Sequence, residues 1–390
     1  MNACPLRLKK GVEDAVRCGM PWIYASDIIE SSELMLAPSG SLVTIENHKG
    51  QFVGTGYYNA KSQIACRVLT LAREPIDTNF FISRLQKALE TRNRLIGVPY
   101  YRLIHSEPDG LPGLLIDRFG DTLVVQVGTA GMKLLQSLWM QALEQVLAPR
   151  AVILRNDTSS RLLEGLPKEV KILKGEVLAL TEIHENGCIY LADLLHGQKT
   201  GWFYDQRDNR KMIAELSKDK TVIDIYSHSG GFGLLAARYG AAQVTMVDSS
   251  KLALDLARQA AERNNVSCDY LQGDAFEVME RLRKEGKTFD IVLADPPAFV
   301  KSKKDIAAGL KGYEKVARMA AALVKPGGLL FVASCSHHAG RSAFNKAVMD
   351  GVAKAGMKAE ILKQTSASPD HPRHNSLPQN EYLKGILLRL

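Results

Sequence analysis

The sequence predicts an α/β protein: a doubly wound sheet in the C-terminal half, preceded by a small β-barrel and a central α+β unit. Three observations support this. Short apolar runs (Val222–Ile225, Gln243–Asp248, Phe289–Ala294, Leu329–Ala333) alternate with helical stretches. These runs are apolar on both faces, as strands buried between two helical layers must be. From the start to Leu71, by contrast, short β-forming segments are punctuated by Gly and Asn.

In chain order, Ser41–Glu46 and Gln51–Tyr58 alternate or cluster β-formers and suit a barrel over residues 1–73. Arg73-Glu74-Pro75 reads as a junction. Apolar residues at Phe81, Leu85, Ala88, Leu89 and Leu95, with Gly97 as a stop, predict a helix from Phe80 to Ile96. Leu114 to Asp121 and Thr122 to Val127 read as two strands joined by a tight Gly turn, and a helix follows near Leu134 to Leu147. Residues 74–185 thus form the central α+β domain and 186–390 the doubly wound one. In the latter, helices are expected over Phe232–Tyr239, Lys251–Asn264, Ala275–Glu285 and Lys304–Val324, the last stopped by Lys325-Pro-Gly-Gly328.

A length of 390 residues suits two or three domains, and 46% hydrophobic with 24% charged residues is globular composition. The formal net charge of +8 fits a polyanionic partner such as RNA, but an ordinary basic protein would show the same charge. Six scattered cysteines form neither a disulfide framework nor a zinc pattern. With no signal-like N-terminus and no apolar run of membrane length, the expectation is a cytoplasmic protein away from membranes.

The first C-terminal strand ends at Asp224 and runs into Ser229-Gly230-Gly231-Phe232-Gly233 and a helix. Such a turn lets backbone approach a ligand, but a structural tight turn looks the same. The next strand ends at Asp248-Ser249, where a carboxylate can accept both ribose hydroxyls of a nucleoside cofactor. A third strand end gives Asp274-Ala275, placed to meet an adenine. The spacing is not the G-x-G-x-x-G of dinucleotide folds. Asp224 would repel a pyrophosphate but suits the ammonium of a methionine moiety. Asp295-Pro296-Pro297-Ala298-Phe299 adds a rigid turn that aims carbonyls and a ring at one spot. The cofactor read from these residues is S-adenosylmethionine.

Leu329 to Ala333 ends at Ser334-Cys335-Ser336, on the same sheet edge as Asp295. A lone Cys is commonly a small buried hydrophobe; serine neighbours and a strand end point instead to a nucleophile. Pyrimidine carbon 5 accepts a methyl group only after a thiolate has added at carbon 6. Asp295 then hydrogen-bonds the base and steadies the adduct. His337 and His338 either lower the pKa of the Cys or are solvated loop residues; Asp370-His371-Pro372 and Lys301 to Lys304 flank the expected cleft, the lysines as phosphate contacts or as a solvated face. The histidines lack metal-ligand spacing, so no metal is expected.

With these residues assembled, the chain resembles the ribosomal RNA large-subunit methyltransferase family with an N-terminal PUA domain, whose best-known members make 5-methylcytosine. The resemblance rests on Gly19-Met-Pro-Trp22, on Asp109 to Gly120, on Gly197 to Arg207, on Asp370-His-Pro372 and on Glu381 to Gly385. It implies a PUA barrel that assists RNA binding, a Rossmann-like methyltransferase domain, ribosomal RNA as partner and, in many members, a homodimer. It also implies cofactor contacts from Phe203, Asp205, Gln206, Arg207, Ser229 to Phe232 and Pro296, and Cys335 as nucleophile. Broader RNA cytosine-5 methyltransferases often carry a second Cys after Asp-Pro-Pro; here that position is Ala298, so product release needs another device. Two other functions compete: methylation of a guanine nitrogen, which uses Asp-Pro-Pro without the Cys, and a non-catalytic RNA-binding assembly factor.

Overall fold

A computed structural model describes residues 4–197, 200–378 and 381–390. The chain forms two compact units. One comprises Met1–Thr181, Asp193–Trp202 and Pro369–Pro378; the other comprises Glu182–Ala192, Phe203–Ser368 and Gln379–Leu390.

The first unit opens with six strands: β1 (Cys4–Leu8), β2 (Trp22–Ile23), β3 (Ile28–Ile29), β4 (Ser41–Glu46), β5 (Phe52–Tyr58) and β6 (Cys66–Thr70). They form one sheet in the order β2-β6-β5-β4-β1-β3, with helices α1 (Val12–Arg17) and α2 (Ser32–Leu36) between them. Alternation explains the burial: Leu6 and Leu8, then Val43 and Ile45, point into one core. After α3 (Thr78–Leu95) comes a second sheet of β7 (Tyr100–His105), β8 (Leu114–Phe119), β9 (Thr122–Val127), β10 (Ala151–Asn156) and β11 (Glu169–Lys174), in the order β11-β10-β9-β8-β7. Helices α4 (Ala130–Leu134) and α5 (Gln136–Leu147) lie between β9 and β10. Phe81 and Leu85 of α3 meet Trp139 and Leu143 of α5 over Leu103, Ile116 and Val125. Asp77 caps α3 by accepting the Phe80 N–H at 3.0 Å.

Pro369–Pro378 belongs to this first unit, although its place in the sequence suggested the C-terminal domain. The reason is electrostatic. Asp370, fully buried, accepts the Arg102 N–H at 3.0 Å, and its carbonyl accepts from Arg92, whose guanidinium grips both oxygens of Asp109. Buried charges persist only with such partners.

The second unit opens with a hairpin, β12 (Thr181–Glu185) and β13 (Cys188–Ala192), followed by α6 (Arg207–Glu215). Then β14 (Thr221–Ile225), α7 (Gly231–Arg238), β15 (Gln243–Asp248), α8 (Lys251–Arg263), β16 (Asp269–Gln272), α9 (Ala275–Lys284), β17 (Phe289–Ala294), α10 (Ile306–Ala321), β18 (Val324–Ser334), α11 (Arg341–Lys354), β19 (Glu360–Ser366) and β20 (Lys384–Arg389) follow. The sheet order is β16-β15-β14-β17-β18-β20-β19. The five strands from β16 to β18 are parallel, whereas β20 runs antiparallel to both its neighbours. The Rossmann-like expectation holds for those five, and the sheet is mixed at its other edge. At that edge β20 is buried like the central strands, and only the outermost strand departs from their pattern. β19 is an edge strand whose first five residues are exposed, and β20 opens on a lysine. The Lys325-Pro-Gly-Gly328 stop lies within β18, where Gly327 has φ +75°, and α10 ends earlier, at Ala321.

Candidate active site

Parallel strands bring their C-terminal ends to one edge, so Asp224, Asp248, Asp295 and Ser334-Cys335-Ser336 leave the same side of the second unit's sheet. The first crossover there is unusual. Tyr226, His228 and Gly230 all have positive φ, at 66°, 49° and 84°. For Tyr and His that conformation costs about 1–3 kcal/mol each and persists only where the surroundings impose it. The imposition is visible. Ser227 N donates to Val247 O at 3.0 Å, Gly230 N to Ser227 O at 2.8 Å, and His228 N to an Asp248 carboxylate oxygen at 2.8 Å.

The glycines serve packing as well as conformation. A Cβ on Gly233 would lie 2.9 Å from Met246 Cγ and 3.2 Å from Val244 Cγ1, so the absence of a side chain lets α7 sit closely on β15. A Cβ on Gly230 would meet Leu234 at 3.0 Å and Ala257 at 3.1 Å. Phe232 turns into the core, its ring 5.8 Å from Phe331. Ser229 is buried, and its hydroxyl lies 3.2 Å from His228 Nδ1.

Three carboxylates face this turn. Asp224 is buried and accepts the Gly233 N–H at 2.8 Å across the turn. Burial, with Asp295 and Asp248 as like charges, pushes its pKa up to about 7 against the pull of the Gly233 N–H and Arg210. One oxygen of Asp248 takes the His228 N–H and the other the Ser250 N–H, both at 2.8 Å, which fixes its carboxylate plane. Asp295 accepts from Gln206 Nε2 at 2.9 Å, and Asn209 in turn donates to Gln206 Oε1 at 2.5 Å. Among the described residues, the Ser227 hydroxyl is buried with no hydrogen-bond partner.

The segment before the first strand wraps onto this edge. Phe203 stands edge-on to His228, ring centroids 5.5 Å apart. Asp205 accepts the Tyr382 hydroxyl at 2.6 Å, and its carbonyl accepts from both the amide and the hydroxyl of Ser368. Arg207 and Arg210 converge on the buried Glu185 of β12, at 3.5 and 2.7 Å. Two expected cofactor residues look different in place. Asp274 spends one oxygen capping α9, accepting from Phe276 and Glu277 N–H groups, and Ala275 packs in the core. Ser249 is exposed beside Asp248, and Pro296 is buried beside Asp295.

At the end of β18, Tyr313 of α10 clamps the residues around Cys335. Its hydroxyl meets Ser334 Oγ at 2.8 Å and Ser336 Oγ at 2.7 Å, and Val300 N donates to Ser336 Oγ at 3.1 Å. This ties the end of β18 to the loop after Asp295. Phe299 in that loop packs 4.9 Å from the Tyr313 ring, over Gly309 and Gly312. Cys335 is half-buried between the two pinned serines. His337 stacks on Tyr382 at 5.0 Å, whereas Asp370 and His371 belong to the first unit. Sequence reasoning missed Ser227, Tyr313, Tyr382 and Lys384. Only Tyr382 and Lys384 carried a signal, inside the Glu381 to Gly385 stretch.

Asp224, Asp248 and the orphan Ser227 hydroxyl are acceptors and a donor suited to a cationic nucleoside, so the residues fit S-adenosylmethionine. No cluster of metal-binding side chains occurs among the described residues, and no helix there is long and apolar enough to cross a membrane.

Comparison with known proteins agrees. Residues 153–376 match the S-adenosylmethionine-dependent methyltransferase family, and residues 6–71 match the PUA-like domain. The chain is 37% identical over 392 residues to Ribosomal RNA large subunit methyltransferase I of Aeromonas salmonicida (strain A449), covering 98% of each. It is 37% identical over 397 residues to the protein of that name from Shewanella amazonensis, covering 99% of each. A SAM-dependent methyltransferase from Streptococcus mutans shares the fold, with TM-score 0.82, 22% identity and coverage of 99% of this chain and 100% of that one. So does a methyltransferase crystallised with S-adenosylhomocysteine, with TM-score 0.84, 22% identity and the same coverage. Matched along its whole length by relatives of this identity, the chain belongs to the S-adenosylmethionine-dependent methyltransferases, in the family of the ribosomal RNA large subunit methyltransferase I proteins.

Proposed function

We propose that this enzyme methylates carbon 5 of a cytosine in large-subunit ribosomal RNA, through a covalent adduct with Cys335. The observation that carries the reading is the clamped Ser334-Cys335-Ser336 strand end, on the same sheet edge as Asp295. The names of the relatives and the PUA-like match support an RNA substrate of that kind. Such a substrate places the enzyme in the cytoplasm. The division into domains 1–73, 74–185 and 186–390, and a homodimer, belong to the same reading.

In this scheme the bound cofactor supplies an electrophilic methyl group on a sulfonium. Asp224 takes its ammonium and Asp248 its ribose hydroxyls. Phe203, Asp205, Gln206, Arg207, Ser229 to Phe232, Ser249, Asp274, Ala275 and Pro296 shape the rest of that pocket. Gln206 holds Asp295 at 2.9 Å, so that the carboxylate presents a fixed edge to the base. The Cys335 thiolate adds at carbon 6 and makes carbon 5 nucleophilic. Once carbon 5 carries the methyl group, loss of its proton expels the thiolate.

The test is methyl mapping of ribosomal RNA from cells with and without the gene, paired with Cys335→Ala. The expected result is one cytosine mark lost on deletion, and a variant that binds S-adenosylmethionine normally without transferring methyl groups. RNA carrying 5-fluorocytosine should trap the wild type covalently. A mark on guanine, with Cys335→Ala still active, would replace this reading by nitrogen methylation.

A further inference from the structure

Beside Cys335 lies a buried cation that the scheme above leaves unused. β20 pairs with the end of β18 so that Lys384 stands directly opposite Ser334. Lys384 is only 2% exposed, and lysine is seldom buried to that degree without a partner. Its ammonium donates to Ser336 O at 2.8 Å and to Tyr382 O at 2.9 Å. Paired with Ser334 and bonded to Ser336, it brackets the cysteine between them.

Two carbonyl acceptors engage two of the ammonium's three N–H donors and do not neutralise its charge. The charged neighbours are few. Arg341 of α11 repels Lys384, but Arg341 is itself paired with Glu381 at 2.7 Å. Glu381 and the Cys335 sulfur attract it, while burial and Arg341 push its pKa down to about 8. The Tyr313 hydroxyl nearby is engaged by both serines, and burial raises its pKa. A thiolate at Cys335 is therefore the anion this buried charge is placed to meet.

We infer that Lys384 is the countercharge of the Cys335 thiolate, holding the sulfur ionised both when it attacks the base and when it departs. The inference rests on Cys335 being the nucleophile. The thiol proton leaves to solvent water, the sulfur electron pair forms the bond to carbon 6, and the displaced 5,6 π pair becomes the bond from carbon 5 to the methyl group, whose bond to the sulfonium breaks to leave a neutral thioether. On elimination the carbon 5 proton goes to solvent water, the 5,6 double bond re-forms, and the carbon–sulfur pair returns to sulfur. Lys384 touches no substrate atom in this scheme; it is a positioning residue that acts through Cys335. Since the thiolate is both attacking and leaving group, one fixed cation serves both steps. That supplies a release device where Ala298 offers no second thiol.

The test measures thiol ionisation directly. Full-length wild type, Lys384→Gln and Lys384→Arg are treated with iodoacetamide from about pH 6 to about pH 10, and Cys335 modification is read by peptide mass spectrometry. Loss of the countercharge should raise the midpoint by about one unit in Lys384→Gln, slowing alkylation about tenfold near pH 7. The rates should converge with wild type at the alkaline end, and Lys384→Arg should behave like wild type. Single-turnover methylation by Lys384→Gln should fall in parallel and recover as pH rises. Equal alkylation at every pH, or a loss of the same size at every pH, would overturn the inference. If Lys384→Gln melts early, the comparison passes to Lys384→Arg and Lys384→Met, judged by the same midpoint. Because alkylation needs no RNA, it stands apart from the base assignment. An active Cys335→Ala enzyme would remove the cytosine reading, while the midpoint would still report on the ion pair.

Discussion

Replacing Asp224 by Asn should make the cofactor-free protein more stable and the cofactor complex weaker, and the size of the first effect follows from the site. Asp224 is buried between Asp248 and Asp295, and its pKa rises from 3.8 to about 7. A shift of about three units corresponds to about 4 kcal/mol, an upper bound on the cost of holding this carboxylate ionised in the empty site. The folded value lies above the unfolded one, so as pH rises the unfolded chain ionises first. Stability falls from about pH 4 to about pH 7, and the whole penalty applies above that. Asn cannot ionise, yet its carbonyl can still accept the Gly233 N–H. Thermal melts should therefore place Asp224→Asn above wild type near pH 8 and level with it near pH 4. In the proposed placement the cofactor ammonium would reverse the balance by neutralising the crowded carboxylates. Wild-type binding should tighten as pH rises toward about 8 and release a proton below about pH 7, visible by calorimetry in buffers of different ionisation heat. Asp224→Asn should bind about tenfold or more weakly and release none. A variant that melts below wild type near pH 8, or wild-type binding without proton release, would refute the argument.

Two further perturbations separate cofactor from catalytic geometry. The Ser227 hydroxyl is buried without a partner among the described residues, so Ser227→Ala should leave the melting temperature unchanged or raise it while weakening S-adenosylhomocysteine binding, measured by calorimetry. Unchanged affinity would show that the hydroxyl does not face the cofactor. A Cβ on Gly309 would lie 2.4 Å from Val300 Cγ2 and 2.8 Å from the Phe299 backbone, whereas one on Gly312 would meet only the Phe299 ring, at 2.9 Å. Overpacking costs about 1–3 kcal/mol, and the backbone clash shifts the loop after Asp295. Gly309→Ala should cut single-turnover methyl transfer at least about tenfold with cofactor affinity retained, and Gly312→Ala much less; equal effects would dismiss the distinction.

What the sequence displayed and what it hid divide along range of interaction. Alternation within single strands revealed Ser41–Glu46, and long apolar runs revealed the central parallel strands, because both signals are local. The edge strand Glu360–Ser366 buries little and so leaves no pattern to read. The Asp224, Asp248 and Asp295 carboxylates were legible because strand ends announce themselves. The strain at Tyr226 and His228 was not, since no bulky residue advertises a positive φ and part of what imposes it comes from Val247 and Asp248 on the next strand. Phe232 and Ala275 are motif positions whose side chains pack into the core, which the motif alone does not display.

Lys384 shows why the surroundings of a candidate nucleophile resist sequence reading even where the candidate itself does not. Cys335 can be picked out by its own setting, a thiol between two serines at the end of an apolar run. Lys384 opens the strand Lys384-Gly-Ile-Leu-Leu, and nothing in that local pattern marks it for burial. Its burial depends on the pairing of β20 with β18, two segments separated by α11 and β19. Only that register sets the ammonium opposite Ser334 and bonds it to Ser336. Were burial of the strand end the only demand, an apolar residue would meet it without the cost of desolvating a charge. On the inference drawn above, a Cys335 thiolate would offset that cost, which is why thiol ionisation, rather than stability, is the decisive measurement.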